Sequence, residues 1–100
     1  MYLMNVLDIL QEHKDLKLFL SDFNEVVDWY IEDDKFYIIG RMDLTSDEIK
    51  SGTYHSMIAI DLLTSFNKFR DSVCTFIKCY NIEGKELYVN VKNDYIEFEL

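Results

Sequence analysis

The sequence predicts a small α+β domain in which two helices pack on one face of a mostly antiparallel sheet of about five strands, in the order α-β-β-β-α-β-β. Apolar residues recur every three or four positions near the N-terminus and again after residue 61, which is typical of amphipathic helices. From about residues 25 and 87 they alternate with polar residues, which is typical of strands with one solvated face. The 100 residues contain no proline and no linker-like stretch, so one domain spanning residues 1–100 is expected.

The first helix is predicted from helical spacing that begins at Leu3 and reaches His13. The same phase continues in four later apolar residues, so the helix is expected to extend, or to restart, after Asp15. The residues that set the spacing are Leu3, Val6, Leu7 and Leu10, followed by Leu16, Phe19, Leu20 and Phe23.

The period changes from helical to two at Glu25, which predicts the first strand. A turn over Asp33-Asp34-Lys35 then predicts a hairpin into a second strand over residues 36–43. On the first strand, one face is predicted to carry Val27, Trp29 and Ile31, and the other Val26, Asp28, Tyr30 and Glu32.

The middle of the chain is predicted from capping signals and apolar spacing. Thr45 and Glu48 have capping-box spacing, which favours one short helical turn within a polar loop. Residues 54–60 are rich in β-branched and aromatic side chains and predict a third strand, although they could instead begin the next helix. A second long helix is predicted over residues 62–80, with Asp61 capping its N-terminus.

The last segment predicts a second hairpin after Gly84. Its strands join through a two-residue Asn93-Asp94 turn, whose residues tolerate positive φ. In the final strand, inward and outward residues alternate, with Ile96, Phe98 and Leu100 inward and Tyr95, Glu97 and Glu99 outward.

The net charge of −9 is large for a domain of this size. Its field repels nucleic acid and anionic membranes, so neither is expected as a direct partner, whereas basic proteins are attracted. The first ten residues include Asp8 and no basic stretch, unlike a signal peptide. Cys74 and Cys79 are expected to be reduced thiols, which favours a cytoplasmic location.

No pattern in the sequence predicts catalysis, a cofactor or a metal site. The two histidines are His13, on the apolar edge of the first helix, and His55, beside Ser56. Neighbouring side chains on a strand point to opposite faces, so a His55–Ser56 nucleophile pair is not expected. The Glu32-Asp33-Asp34 cluster lacks the alternating oxygens, glycine and distal glutamate of a calcium loop.

The negative charge is concentrated on the first hairpin and its loops, because residues 22–48 hold nine acids and only two bases. If the two hairpins share one sheet, tyrosines and carboxylates lie on its outer face. Such a surface supplies rigid aromatic area and acceptors for Arg and Lys. The candidate partner-binding residues are Asp28, Tyr30, Glu32, Asp33, Asp34, Tyr37, Asp43, Tyr95, Glu97 and Glu99, and Tyr88 is expected on the same face.

Two hypotheses of function follow from the charge map. In the first, the chain is a stoichiometric inhibitor that occludes the basic groove of a nucleic-acid-processing enzyme, such as a nuclease or defence effector. In size, charge and lack of catalytic motifs it is similar to phage anti-CRISPR and anti-restriction proteins and to toxin-immunity proteins, which would place it in a host cytoplasm if phage-encoded. In the second, it is an interaction or assembly domain, as in a homodimer, whose charge serves only solubility.

Overall fold

The computed structural model describes residues 1–52, 54–67 and 77–100. Within these residues the chain forms three α-helices and six strands, together with single turns of 3-10 helix at Ser21–Phe23 and Arg41–Asp43. The helices are α1 (Leu3–Glu12), α2 (Ser46–Lys50) and α3 (Ala59–Asn67). The strands are β1 (Lys17–Leu20), β2 (Asn24–Glu32), β3 (Lys35–Gly40), β4 (Lys78–Tyr80), β5 (Tyr88–Val91) and β6 (Tyr95–Glu99).

The strands form one six-stranded sheet in the order β4-β3-β2-β1-β6-β5. The α+β class is therefore confirmed, but the sheet has six strands rather than about five. It is also mixed, because β1 pairs with β6, and β3 with β4, in parallel. Both parallel pairs join strands that are far apart in sequence, and hairpin patterns cannot reveal such pairs.

The first predicted helix is confirmed as α1, which buries Leu3, Val6 and Leu10. The predicted continuation after Asp15 is wrong, because the chain leaves the helix at His13 and then forms β1. β1 lies near the centre of the sheet, where Leu18 and Leu20 are buried in the core. The apolar run 16–23 fits a period of two as well as a helical one, and pairing with β2 and β6 selects the strand.

The first predicted hairpin is confirmed as β2 and β3, but the second strand ends at Gly40 rather than at residue 43. Register shifts between Val26 and Asp28 at a β-bulge. Because the extra residue reverses the alternation, Val26 is fully buried and does not share the face of Asp28, contrary to the prediction. The turn consists of Asp33 and Asp34, both in left-handed backbone, with φ of 51° and 60°.

The capping box predicted at Thr45 and Glu48 is confirmed at the start of α2. Residues 54–60 do not form the predicted third strand. Met57 instead fills the gap between two strands: its N–H donates to the Val26 carbonyl at 2.8 Å, and its carbonyl accepts the Leu18 N–H at 3.1 Å. The backbone N–H and carbonyl of Met57 are thus paired without a full strand, and α3 begins at Ala59.

The second long helix was predicted over residues 62–80 and is observed as α3, Ala59–Asn67. Asp61 caps it from inside the first turn, because its Oδ2 accepts the Ile58 N–H at 2.9 Å. The predicted helical positions 69, 73 and 76, and Cys74, lie outside the described residues. The end of the prediction is wrong, since Lys78–Tyr80 is β4, which buries Cys79 beside Phe36.

The final hairpin is confirmed as β5 and β6, and the Lys92 N–H donates to the Tyr95 carbonyl at 2.8 Å across the Asn93-Asp94 turn. That turn does not use positive φ. Leu100 was predicted to face inward and is 62% exposed, because it lies beyond the last ladder pair, Tyr88 with Glu99.

One hydrophobic core joins α1 and α3 to one face of the sheet, here called the inner face. Phe36, Phe66 and Phe98 are the largest side chains that it buries. The prediction that two helices share one face is therefore confirmed for α1 and α3. Among the described residues, neither of these longer helices packs on the opposite face, here called the outer face.

Candidate interaction surface

The outer face is defined by the register of the strands, because residues paired across neighbouring strands point to the same side. One row of this face crosses β2, β3 and β4 through Tyr30, Tyr37 and Tyr80. A second row crosses β2, β1, β6 and β5. Its members are Glu25, Phe19, Glu97 and Asn90.

Tyr30, Tyr37 and Tyr80 form a row of adjacent rings, here called the tyrosine row. The ring centroids of Tyr30 and Tyr37 are 4.7 Å apart with their planes at 13°, and those of Tyr37 and Tyr80 are 6.1 Å apart. Desolvation raises the pKa of Tyr30, and the neighbouring Tyr37 and Glu32 raise it further. Tyr30 and Tyr37 were predicted for this face, whereas Tyr80 was missed because its segment was assigned to a helix.

The tip of the first hairpin carries three consecutive acids. Glu32 pairs across the strands with Lys35, and Asp33 and Asp34 form the exposed turn. Among the described residues, no cation lies within 4 Å of either turn carboxylate. The neighbouring cations are engaged elsewhere: Lys35 Nζ lies 5.3 Å from the centre of the Tyr80 ring, and Lys78 Nζ lies 3.4 Å from Glu86.

Asp28 lies on the outer face near Tyr54, a residue that the sequence did not place beside it. Its Oδ1 accepts the N–H of Trp29 at 2.8 Å. The hydroxyl of Tyr54 is 3.4 Å from Oε2 of Glu48 in α2. Partial desolvation, followed by the charges of Glu48 and Asp28, raises the pKa of Tyr54. These contacts bring the acidic first turn of α2 close to the outer face.

Asp43 does not lie on the outer face, contrary to the prediction. It falls in the single turn of 3-10 helix after β3, and its Oδ2 accepts the Gly40 N–H at 2.8 Å. Its carboxylate therefore satisfies a backbone donor at the end of a strand, which is a structural role.

Tyr95, Glu97 and Glu99 lie on the outer face of β6, as predicted. Lys92 Nζ is 3.1 Å from Glu99 and 4.0 Å from Glu97. Hydrogen bonds from Glu97 and Lys92 lower the pKa of Glu99. The pKa of Glu97 is raised by its hydrogen bond with Glu99, by desolvation and by nearby negative charges that include Asp22.

The candidate residues therefore form two groups on one face of the sheet. Six belong to the first hairpin and three to β6. β1 pairs with β2 only at Asn24 and Glu25. Tyr30 lies five residues beyond Glu25 along β2, which at ~3.3 Å per residue is roughly 16 Å from that pair. Three lysines also lie on this face. Lys17 lies on β1, between the two groups, whereas Lys35 and Lys78 lie on β3 and β4, beside the first group.

The remaining titratable residues include one compact cluster, in which the Glu86 carboxylate lies 2.8 Å from the Met1 ammonium and 3.4 Å from Lys78 Nζ. His13 is half-buried at the end of α1, and His55 is exposed. Within residues 1–52, 54–67 and 77–100, no three histidine, cysteine, aspartate or glutamate side chains come together as a metal site would require. In the same segments no helix combines the length and hydropathy needed to cross a bilayer. Burial raises the pKa of the free Cys79 thiol to about 12.

Comparison of the chain with protein-family models, with curated protein sequences and with solved structures gives no match.

Proposed function

We propose that this chain is a non-enzymatic, stoichiometric binding protein that occludes the nucleic-acid-binding groove of a basic enzyme, such as a nuclease or defence effector. One observation carries the proposal. Asp33 and Asp34 occupy left-handed backbone, at φ of 51° and 60°. In a turn of this kind asparagine, aspartate or glycine is favoured at the first position, but glycine at the second, where Asp34 stands. Two exposed carboxylates at the tip of a hairpin therefore stand where a more stable turn was available, which is typical of a functional position.

The surroundings of the tip support the same function. The tyrosine row begins at the third ladder pair from the turn, on the outer face, and offers rigid aromatic area for the stems of Arg and Lys. Because Lys35 and Lys78 are held by Tyr80 and Glu86, the tip keeps its negative charge. In this mechanism Glu32, Asp33 and Asp34 stand in for phosphates, and the tyrosines supply apolar contact area.

Under this proposal the chain acts in the cytoplasm, or in the host cytoplasm if it is phage-encoded. The partner would be the target of a phage inhibitor of host defence or the toxin nuclease of an immunity protein. Nucleic acid and membranes would be excluded by the net charge of −9.

The test begins with a tagged pull-down from a nuclease-treated lysate, followed by a cleavage assay on any basic enzyme recovered. We expect inhibition that saturates at a fixed stoichiometry and weakens with salt, because exposed charges are screened within ~8 Å at physiological ionic strength. Reversing Asp28, Glu32 and Asp34 to Lys is expected to abolish inhibition while circular dichroism stays unchanged. The matched control reverses Asp8, Glu12 and Asp15, which are exposed on or just after α1. Full inhibition by the first triple variant would contradict the proposal.

A second candidate function is self-assembly, which the edge of β5 favours. β5 is the outermost strand beside β6, and it exposes 50% of Tyr88 and 42% of Val91. By contrast, the edge of β4 is covered by residues near Met1 and Leu87. Within residues 1–52, 54–67 and 77–100, no strand or bridge pairs with the free side of β5, and an open edge can pair with a second copy. A dimer in light scattering whose mass does not change with salt would favour this function over occlusion, whereas a monomer would contradict it.

A further inference from the structure

The outer face carries a second aromatic cluster that belongs to neither the tyrosine row nor the hairpin tip. Phe19, Phe23 and Tyr95 form a triangle with ring centroids 5.4 to 5.8 Å apart, here called the aromatic triangle. Phe19 and Tyr95 are half-buried, whereas Phe23 is 62% exposed. The Phe23 ring therefore lies on the surface, in contact with the rings of Phe19 and Tyr95 on one side and open to solvent on the rest.

The backbone presents Phe23 at a cost in conformational energy. Asp22 and Phe23 both lie in the left-handed region, at φ of 64° and 56°. This conformation costs roughly 1–2 kcal/mol for a residue other than glycine, and a bulky side chain there is uncommon. The strain is not offset by burial, because most of the Phe23 ring remains in solvent.

Carboxylates surround the aromatic triangle. In the register of the sheet, Phe19 lies between Glu25 on β2 and Glu97 on β6. Glu25 forms an ion pair with Arg41 at 3.6 Å. Lys92 Nζ lies 3.1 Å from Glu99 but 4.0 Å from Glu97, so its closer partner is Glu99. Asp22 has no cation within 4 Å among the described residues. The hydrogen bond with Glu99 and desolvation raise the pKa of Glu97, and the nearby charge of Asp22 raises it further.

We propose that the aromatic triangle, with Glu97 and Asp22 at its edge, is a binding site for an arginine side chain of the protein partner. A planar guanidinium stacks on the exposed face of an aromatic ring and bonds a carboxylate through its fork of N–H donors. The site provides both features. An apolar partner group would leave the Asp22 carboxylate without a cation and Glu97 with only the distant Lys92, at 4.0 Å. Lysine fits less well, because its compact ammonium cannot stack and bridge at once.

This inference rests on the proposed function only in that the arginine belongs to the basic partner. The site lies on the β6 half of the outer face, away from the hairpin tip, so the two regions can be tested separately. A small guanidinium probe requires no knowledge of the partner.

The experiment is an NMR titration of the isotope-labelled chain with N-acetyl-arginine amide, with N-acetyl-lysine amide as the matched cation. We expect saturable shifts at Phe19, Phe23, Tyr95 and Glu97, ring-current shifts on the arginine side chain, and several-fold weaker binding of the lysine probe. Phe23→Gly, which suits the left-handed backbone, and Phe23→Ala should each raise the dissociation constant about tenfold or more. Glu97→Gln should raise it less. Tyr88→Ala, on the same face but outside the triangle, should leave it unchanged.

Equal binding of the two probes, shifts spread over all exposed acids, or binding unaffected by both Phe23 variants would overturn the assignment. If these results occur while charge reversal at the hairpin tip still abolishes inhibition, the arginine site fails and the proposed function stands. If the probe binds as expected but reversal at the tip has no effect, the proposed function fails and the arginine site stands.

Discussion

The ring of Tyr30 stacks on that of Tyr37, with 4.7 Å between their centroids and 13° between their planes. The two residues are directly opposite on β2 and β3, two ladder pairs behind the Asp33-Asp34 turn. Such aromatic cross-strand pairs stabilise a hairpin beyond the area they bury. This stacked pair stabilises the two strands that end at the acidic turn, and a stable hairpin favours a fixed arrangement of the turn charges.

The Asp33-Asp34 turn is expected to become more stable when its residues match its backbone. Asp33→Asn with Asp34→Gly should raise the free energy of unfolding by about 1 kcal/mol, because asparagine and glycine accept left-handed φ with less strain. Urea unfolding measures the change. Asp8→Asn with Glu12→Gln, which removes the same charge from exposed positions of α1, controls for general electrostatics. A less stable turn variant would show that the carboxylates themselves hold the turn.

Tyr37 is expected to contribute more to stability than Tyr88, although both are tyrosines on the outer face. Tyr37→Ala removes ring contacts with Tyr30 and Tyr80 and should lower the free energy of unfolding by roughly 1–2 kcal/mol. Tyr88→Ala should change it by less, because that ring is 50% exposed on the edge strand and, among the described residues, the substitution removes a hydrogen bond to Glu86 but no ring stacking. Equal losses in urea unfolding would contradict the importance of the tyrosine row.

Gly40 is expected to tolerate no side chain, for a steric reason. Its φ of −95° suits any residue, but an added Cβ would overlap the side-chain amide of Asn24. That amide is buried, and its Oδ1 accepts the Met42 N–H at 2.8 Å. Gly40→Ala should therefore destabilise the fold by about 1–3 kcal/mol, the usual range for overpacking.

A double-mutant cycle distinguishes this overlap from a general effect of the substitution. Asn24→Ala removes the atoms that clash and also the hydrogen bond to Met42. If the clash is the cause, Gly40→Ala should cost much less in the Asn24→Ala background than in the wild type. Additive losses would contradict it.

Glu86 is expected to stabilise the fold in a pH-dependent way. Hydrogen bonds from the Met1 ammonium, at 2.8 Å, from Tyr88 and from Lys78 lower the pKa of Glu86 to about 2. Because the folded pKa lies below the ordinary value of 4.5, the stabilisation is complete above that value and is lost as pH falls towards about 2.

Unfolding of Glu86→Gln and the wild type, compared between pH 7 and pH 2, tests this expectation. The variant should be less stable at pH 7, and the difference should shrink as the pH falls. Glu83→Gln is the control, because its ion pair with Lys85 is exposed and should contribute little. A difference that persists unchanged at pH 2 would contradict the assignment.

The elements that the sequence predicted well are those whose signals are local. The two hairpins, α1 and the Thr45–Glu48 capping box depend on alternation, helical spacing or side chains close in the chain. β1 and β4 were assigned to helices because their apolar residues fit either period. Their strand state is fixed by parallel pairing with β6 and β3, whose residues are 43 or more positions away.

The residues of the candidate surface were likewise predicted correctly where local alternation identified the strand, and missed where it did not. Alternation placed Tyr30, Glu32, Tyr37 and the outward residues of β6 correctly. Phe19, Phe23 and Tyr80 were missed, because each lies in or beside a strand that was interpreted as helix. Asp43 was placed wrongly, since the strand was predicted to continue beyond Gly40. No local pattern signals the β-bulge that turns Val26 into the core.

The most direct test of the central claim is inhibition of the captured basic enzyme by the Asp33→Asn, Asp34→Gly variant, titrated beside the wild type. The variant keeps the turn geometry and is expected to be more stable, so any loss of binding reflects the two missing charges. The proposed function predicts inhibition at least tenfold weaker than that of the wild type, and unchanged inhibition by the Asp8→Asn, Glu12→Gln control. A turn variant that inhibits as well as the wild type would contradict it.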